Sequence, residues 1–518
     1  MHPAHSLRTR LLVSIGSNML RALLGFATGV LIARGLSPSG YGNLMFLLGS
    51  FAAIRSLLDL GSSSAFYTFL SQRARDRRFF LLYFCWMAAQ FLLTFGLVAL
   101  IIPSSMLQKI WLGHERGTIL LAFVAAFLQQ QLWPMAGQIG ESMRKTVKVQ
   151  LMSLGLALTY FVAAAILLGL GLLGVQNVLW LLVILYAGGA AVSWGVLHDP
   201  SASRSPSAEA SEHVLRDYVR YCRPLAILAV ISFLYDFADK WMLQKFGGSV
   251  QQGYFQIAGQ FAAVSLLATT SILSIFWKEI AAASAAGEHQ RVERLYRKAS
   301  RALVTAGAVL TGMLIPWAEP IVRLVLGTAY AGAWQVLAIM FLYPIHQALG
   351  QIGGTTLLAT GQTKRYLAVS VSMMLLSIPV SYLVLAPAAQ SGIGGLELGA
   401  VGMAWKMVLL GVVSANLQAW AIARLNGWQF DWIYQPLAIC LMLALGFMAK
   451  WLCQLIWPFG DMHLASMVVA MMLTGAFYLT LAAAAIAGMP WLAGMTHEEA
   501  RKLMKDLKAG VKARFAWS

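Results

Sequence analysis

Apolar residues run through this chain in long blocks, not in the alternation of a half-buried strand. Fourteen blocks stand out, at about residues 11–33, 43–70, 79–102, 118–140, 149–168, 175–197, 221–243, 253–280, 302–322, 333–358, 366–386, 396–423, 433–456 and 463–488. Each is near or above the roughly 20 residues a helix needs to cross the hydrocarbon of a bilayer. In lipid only a helix satisfies its own backbone at this hydrophobicity. The pattern predicts an all-α integral membrane protein of about fourteen transmembrane helices, with no room for a separate soluble domain. The first block is too long for a signal-peptide core and lacks a small-residue cleavage site, so it reads as a retained span.

One clear linker interrupts the blocks. Residues 198–213 are rich in Ser, Ala and Pro and follow the sixth span. They set expected divisions of 1–197 for a first lobe of six spans, 198–217 for the linker, 218–425 for a second lobe, 426–490 for two appended spans and 491–518 for an amphipathic tail. A weak internal repeat supports two halves. The first span runs into Arg34, Gly35, Ser37, Pro38, Ser39 and the Gly40-Tyr41 pair; the seventh runs into Lys245, Gly247, Gly248, Ser249 and the Gly253-Tyr254 pair. In each copy a basic residue ends the helix, small residues turn the chain, and Gly-Tyr opens the next span. Both copies start on the same side of the membrane, so the repeat is parallel, as in several transporter folds.

Charge changes the picture less than its total suggests. The net charge of +18 invites a nucleic-acid partner, but only 11% of residues are charged and 59% are hydrophobic, against about 25% charged in a soluble domain. With the N-terminus in the cytoplasm, 27 of the 38 Lys and Arg fall in cytoplasmic segments and 5 on the opposite side. The positive-inside rule accounts for that imbalance, and no nucleic acid is required. Both termini are then cytoplasmic. Four cysteines (Cys85, Cys222, Cys440, Cys453) show neither metal spacing nor a disulfide framework, and no cofactor or metal is implied. Two stretches read as amphipathic. One places Val292, Leu295 and Ala299 beside Arg291, Arg294, Arg297 and Lys298. The other opens on a capping-box pattern, Thr496 with Glu499, and continues through Leu503, Leu507, Val511 and Phe515 opposite Lys505, Lys508 and Lys512. Both suit the surface of anionic membrane lipids; the alternative is docking of a partner enzyme.

Six basic residues lie inside spans: Arg21, Arg55, Lys240, Lys278, Lys406 and Lys450. A guanidinium keeps its proton in a protein, and at the bilayer centre it costs about 2.5–3.5 kcal/mol or more. Arg21 stands near the middle of its span with no charged neighbour, on a stripe with Ser14, Asn18, Gly25 and Thr28. Such a residue calls for an anion, a partner or a wet cavity.

Several segments resemble Wzx-type polysaccharide flippases, which belong to the multidrug/oligosaccharidyl-lipid/polysaccharide exporter superfamily. They are Asn18, Arg21 and Gly25 leading through Arg34 to Gly42; Leu58 to Gly61; Asp236 to Leu243 with Gly253-Tyr254; Leu358 to Lys364; and Gly399 to Ala404. The similarity covers roughly residues 7–425. It implies two six-helix lobes in a V-shaped bundle with two further helices. It also implies a flippase of undecaprenyl-diphosphate-linked oligosaccharide in the bacterial inner membrane. Anionic lipids and other polysaccharide-assembly proteins would be its partners.

Moving such a lipid needs fixed cations for the diphosphate and hydrogen-bonding side chains for the sugar. Arg21, with Asn18 beside it, offers the planar fork that binds a phosphate; the bland alternative is that it snorkels or caps a helix carbonyl. Arg55 and Asp59 lie one turn apart and suit either a self-neutralising pair or diphosphate binding by Arg55 and ion coupling by Asp59. Asp236 and Asp239 suit ion coupling or a structural pair with Lys240. Lys406, in mid-span, suits cavity lining or structural pairing. Lys278 is a snorkelled residue or the end of a wet face through Gln256, Gln260, Ser271 and Ser274. Gln129, Gln130, Gln131, Gln138, His346, Gln347 and Gln351 are possible sugar contacts or simple interhelix bonds. A cation-coupled multidrug exporter on the same fold is the main alternative, although central charges that lean basic favour an anion. A membrane glycosyltransferase or polymerase lacks a loop to hold its site, and no Walker A sequence supports an ATP-driven pump. The reading is a transporter, not an enzyme.

Overall fold

The computed structural model describes residues 7–72, 77–197, 211–265, 267–388, 394–456, 464–499 and 501. Nineteen α-helices follow one another, and no strand occurs among the described residues. They are α1 (Leu7–Asp59), α2 (Ser62–Gln72), α3 (Arg77–Gly96), α4 (Ser104–Ile110), α5 (Arg116–Phe127), α6 (Trp133–Ser142), α7 (Thr146–Gly169), α8 (Val175–Leu197), α9 (Ser211–Met242), α10 (Gly248–Ser265), α11 (Leu267–Ala285), α12 (His289–Leu314), α13 (Ala318–Val325), α14 (Trp334–Met340), α15 (Tyr343–Ala359), α16 (Thr363–Leu385), α17 (Gly399–Asn426), α18 (Tyr434–Ile456) and α19 (Leu464–Gly488). Among the described residues, twelve helical segments are long and apolar enough to cross a membrane, and the protein is a multi-pass membrane protein. Two of the twelve, at Gly16–Asp59 and Arg216–Val264, have 44 and 49 residues. At 1.5 Å per residue each is about twice the length of a single crossing.

By packing, the chain forms two compact units, residues 1–257 with 374–400, and residues 258–373 with 401–518. The chain passes between these units inside α10, inside α16 and at the start of α17. The seventh span joins the first unit because α9 packs along α1. Residues 198–210 lie outside the described residues.

In the first unit the internal repeat appears as a hinge. Ser37 breaks α1 at φ 61° and ψ 168°, just before Pro38. Gly248 repeats that conformation at φ 79° and ψ 175° after a π-helical turn at Leu243–Gly247. The two hinges touch: a methyl group on Gly42 would strike the Ser249 carbonyl, and one on Gly253 would strike the Pro38 carbonyl. The Ser39 and Ser249 hydroxyls meet at 2.7 Å. The structural match thus pairs Ser37 with Gly248 and Gly42 with Gly253. Matching the two Gly-Tyr pairs is two residues out of step, because backbone conformation and close approach are what repeat. A second correction lies in the block 43–70, where Leu60 and Gly61, both at positive φ, separate α1 from α2.

The second unit is built around α12, whose Tyr296, Leu303, Val304 and Ala308 share one core with Ile345, Ile352, Met442 and Tyr478. The spans that look appended in sequence pack directly on it. A Cβ on Gly446 would meet the Gly312 carbonyl, Tyr478 donates to the Val309 carbonyl at 2.9 Å, and Lys450 donates to the Pro316 carbonyl at 2.6 Å. The stretch at 291–299 is not a helix lying on lipid. Its apolar face is buried with Ile280 and Ala283, and three of its four cations are matched by carboxylates: Arg291 with Glu279 and Glu288, Arg297 with Glu293, Lys298 with Glu499. The capping box forms, with Thr496 N–H donating to Glu499 at 3.0 Å and Glu499 N–H donating to the Thr496 hydroxyl at 3.2 Å. The expected tail helix through Leu503 and Phe515 lies outside the described residues.

Candidate substrate site

Arg21 and Arg55 lie sixteen residues before and eighteen residues after Ser37. At 1.5 Å per residue that is about 24 and 27 Å along the two arms of α1, so the two guanidinium groups sit at similar distances from the break. Arg21 is exposed and donates to the Asn18 carboxamide oxygen at 2.8 Å. Gln129 donates to the Tyr186 hydroxyl at 3.3 Å, and the next two residues serve Arg55. One guanidinium nitrogen, Nη1, donates to the Gln130 carbonyl at 2.9 Å and to Gln131 Oε1 at 3.0 Å. These three glutamines occupy a π-helical turn at Leu128–Leu132, between α5 and α6. Such turns recur at functional sites because they break the regular carbonyl ladder. The result is a polar run from Tyr186 through the glutamines to Arg55.

Neither arginine makes an ion pair among the described residues. Asp59, the expected partner of Arg55, turns to α2 instead. It accepts from the Ser63 N–H at 3.1 Å and the Ser63 hydroxyl at 2.6 Å, capping that helix. The Ser63 hydroxyl lies 3.2 Å from that of Tyr83. Further along α9, Lys240 donates to the Asp236 carbonyl at 3.2 Å. Asp239 is buried and accepts a hydrogen bond from Ser381 of α16.

Lys406, Lys278, His346 and Gln347 belong to the second unit. Lys406 is buried on α17, at 3% exposure. Lys278 is exposed near the end of α11. His346 is buried, and Gln347 accepts from the Tyr343 hydroxyl at 3.1 Å. The side chains of Ser14, Ser271 and Ser274 lie outside the described set. No group of three His, Cys, Asp or Glu that would hold a metal occurs among the described residues. Tyr186 and Ser381 escaped sequence reasoning, since a lone hydroxyl in an apolar block is ordinary. The stretch Gln129 to Gln131 was the one visible signal for the polar run.

The fold is that of the MOP superfamily of transporters. It is similar over 91% of this chain and 98% of the other to the lipid II flippase MurJ in an inward closed conformation, at 14% identity and a TM-score of 0.65. A multidrug resistance MATE family transporter of the MOP superfamily, inward-facing, matches 79% of this chain and 96% of its own at 15% identity and a TM-score of 0.59. A MOP superfamily transporter from Pyrococcus furiosus matches 81% and 96% at 14% and 0.52. The chain belongs to the polysaccharide biosynthesis protein family, whose model matches residues 8–277. The MatE model matches residues 224–383. A comparison with curated protein sequences gives no match.

Proposed function

We propose that this protein carries an undecaprenyl-diphosphate-linked oligosaccharide across the bacterial inner membrane by alternating access, for assembly of a surface polysaccharide. The observation that carries the reading is the pair Arg21 and Arg55, neither with a carboxylate partner among the described residues, each held by neutral acceptors, Asn18 for the first and Gln130 with Gln131 for the second. Unneutralised guanidinium groups in a span suit a diphosphate, and carboxamides and a phenol suit sugar hydroxyls. A pocket for cationic drugs calls for the reverse, a carboxylate left open to the ligand.

Asn18 orients Arg21, and Lys406 and Lys278 are assigned as further substrate-binding cations. Asp239 takes the ion-coupling role, with Asp236 beside it and Asp59 holding the turn into α2. Both termini are assigned to the cytoplasm, and anionic lipids and polysaccharide-assembly proteins are the expected neighbours. The match of the MatE model over 224–383 supports cation-coupled multidrug export as a second reading. The deciding experiment is growth of cells relying on this protein alone, scored for surface polysaccharide and for drug resistance. Loss of polysaccharide in Arg21→Ala and Arg55→Ala at normal membrane abundance supports the flippase. Normal polysaccharide with lost resistance supports the exporter.

A further inference from the structure

The contact between the two hinges buries polar groups that it does not satisfy. Gln252 follows Ser249 by three residues, on the side of α10 that meets α1. It is 0% exposed, and neither its Oε1 nor its Nε2 has a hydrogen-bond partner among the described residues. Gln244, in the π-helical turn before Gly248, donates to Asn43 Oδ1 at 2.8 Å, but its own buried Oε1 has no partner there. The neighbouring Gln251 is satisfied: its Oε1 accepts from the Ala400 N–H at 3.0 Å. In the structural match of the two hinges, Gln252 stands where the first copy has Tyr41, an aromatic side chain 2% exposed. The position itself therefore does not call for an amide. Buried amides are almost always paired, and one left unpaired loses its hydration with nothing in return.

We infer that Gln252 biases the hinge contact toward opening. The close approach at Gly42 and Gly253, the Ser39 and Ser249 hydroxyls and the bond from Gln244 to Asn43 hold α1 and α10 together. While they are together, the Gln252 amide is dry and unpaired. When they part, water reaches both of its polar atoms. The unpaired amide thus raises the free energy of the closed contact relative to the open one and offsets part of what holds it shut. An apolar side chain of similar size would lose nothing on closure, and the contact would open less often. The inference rests on the proposed function only for what the opening serves.

The test uses the purified full-length protein in detergent, with Cys85, Cys222, Cys440 and Cys453 changed to Ser and Ser249→Cys added as a reporter thiol. The rate at which that thiol reacts with a maleimide reads how often the contact opens, with no substrate present. Gln252→Met is expected to slow the reaction at least about threefold and to raise the unfolding temperature by about 1–2 °C. Gln251→Met, which removes a hydrogen bond that is made, is expected to lower the unfolding temperature and to leave labelling no slower. Gln252→Leu gives the same two readings from a second apolar side chain if the first variant is not recovered folded. A lower unfolding temperature in the Gln252 variant overturns the inference, because the amide is then paired, as a buried water would pair it. Labelling as fast as before overturns it too, because the unpaired amide then has no bearing on opening. Transfer of undecaprenyl diphosphate by reconstituted vesicles is a separate probe. Slower transfer in Gln252→Met supports a hinge that serves transport. No transfer by the wild type removes the flippase and leaves the two hinge readings standing.

Discussion

At the scale of single residues, the account rests on charges left open in a place where charge is costly. A charge-assisted hydrogen bond contributes about 1.5–3 kcal/mol, so Arg55→Ala is expected to slow translocation roughly 10- to 100-fold. Arg55→Lys recovers only part of this, since an ammonium lacks the planar fork. Assay of transport in reconstituted vesicles checks both, and full activity in Arg55→Ala removes Arg55 from the substrate path. Arg21 and Arg55 were legible in the sequence because a guanidinium in an apolar block is conspicuous. The pairing of Arg55 with Asp59 was a fair expectation from their spacing, yet the chain turns at Leu60 and Gly61, and Asp59 caps the next helix. Helical spacing cannot foresee a turn that starts one residue later.

Among elements, the hinge is the most exposed to a small change. Gly42→Ala places a methyl against the Ser249 carbonyl, whereas Gly40→Ala meets chiefly the Leu36 side chain. Overpacking of this kind costs about 1–3 kcal/mol, so thermal unfolding in detergent is expected to show a clear loss for Gly42→Ala and little for Gly40→Ala. Equal stability of the two would deny the close approach. A second element-scale tie joins α12 to the segment after α19. The hydrogen bond from Lys298, then that from the Thr496 backbone, holds the Glu499 carboxyl below its usual pKa. A lowered folded pKa means that the tie is fully present above the ordinary Glu value and is released as the pH falls through the lowered one. Hydrogen exchange at residues 490–499 is expected to rise only in acid, modestly, because the pair is largely exposed. The capping box at Thr496 was readable as a motif. The hinge was readable only as a repeat of small residues, and the partners of α12 were hidden because an amphipathic face does not announce whether lipid or protein covers it.

For the whole molecule, apolar blocks were enough to give an all-helical membrane fold, since a span must satisfy its backbone within itself. The packing of those spans was less accessible. The Ser- and Pro-rich linker marks a pause in the chain, while the chain passes between the compact units inside α10, inside α16 and at the start of α17. The central claim is that the open arginines of α1 serve the passage of an anionic lipid-linked sugar. The most direct measurement is the transfer of an undecaprenyl-diphosphate oligosaccharide between leaflets of vesicles containing the purified protein. The account predicts transfer by the wild type and at least tenfold less by Arg55→Ala inserted at the same density. Wild-type vesicles that move the lipid no faster than empty ones, or Arg55→Ala vesicles that match the wild type, would contradict it.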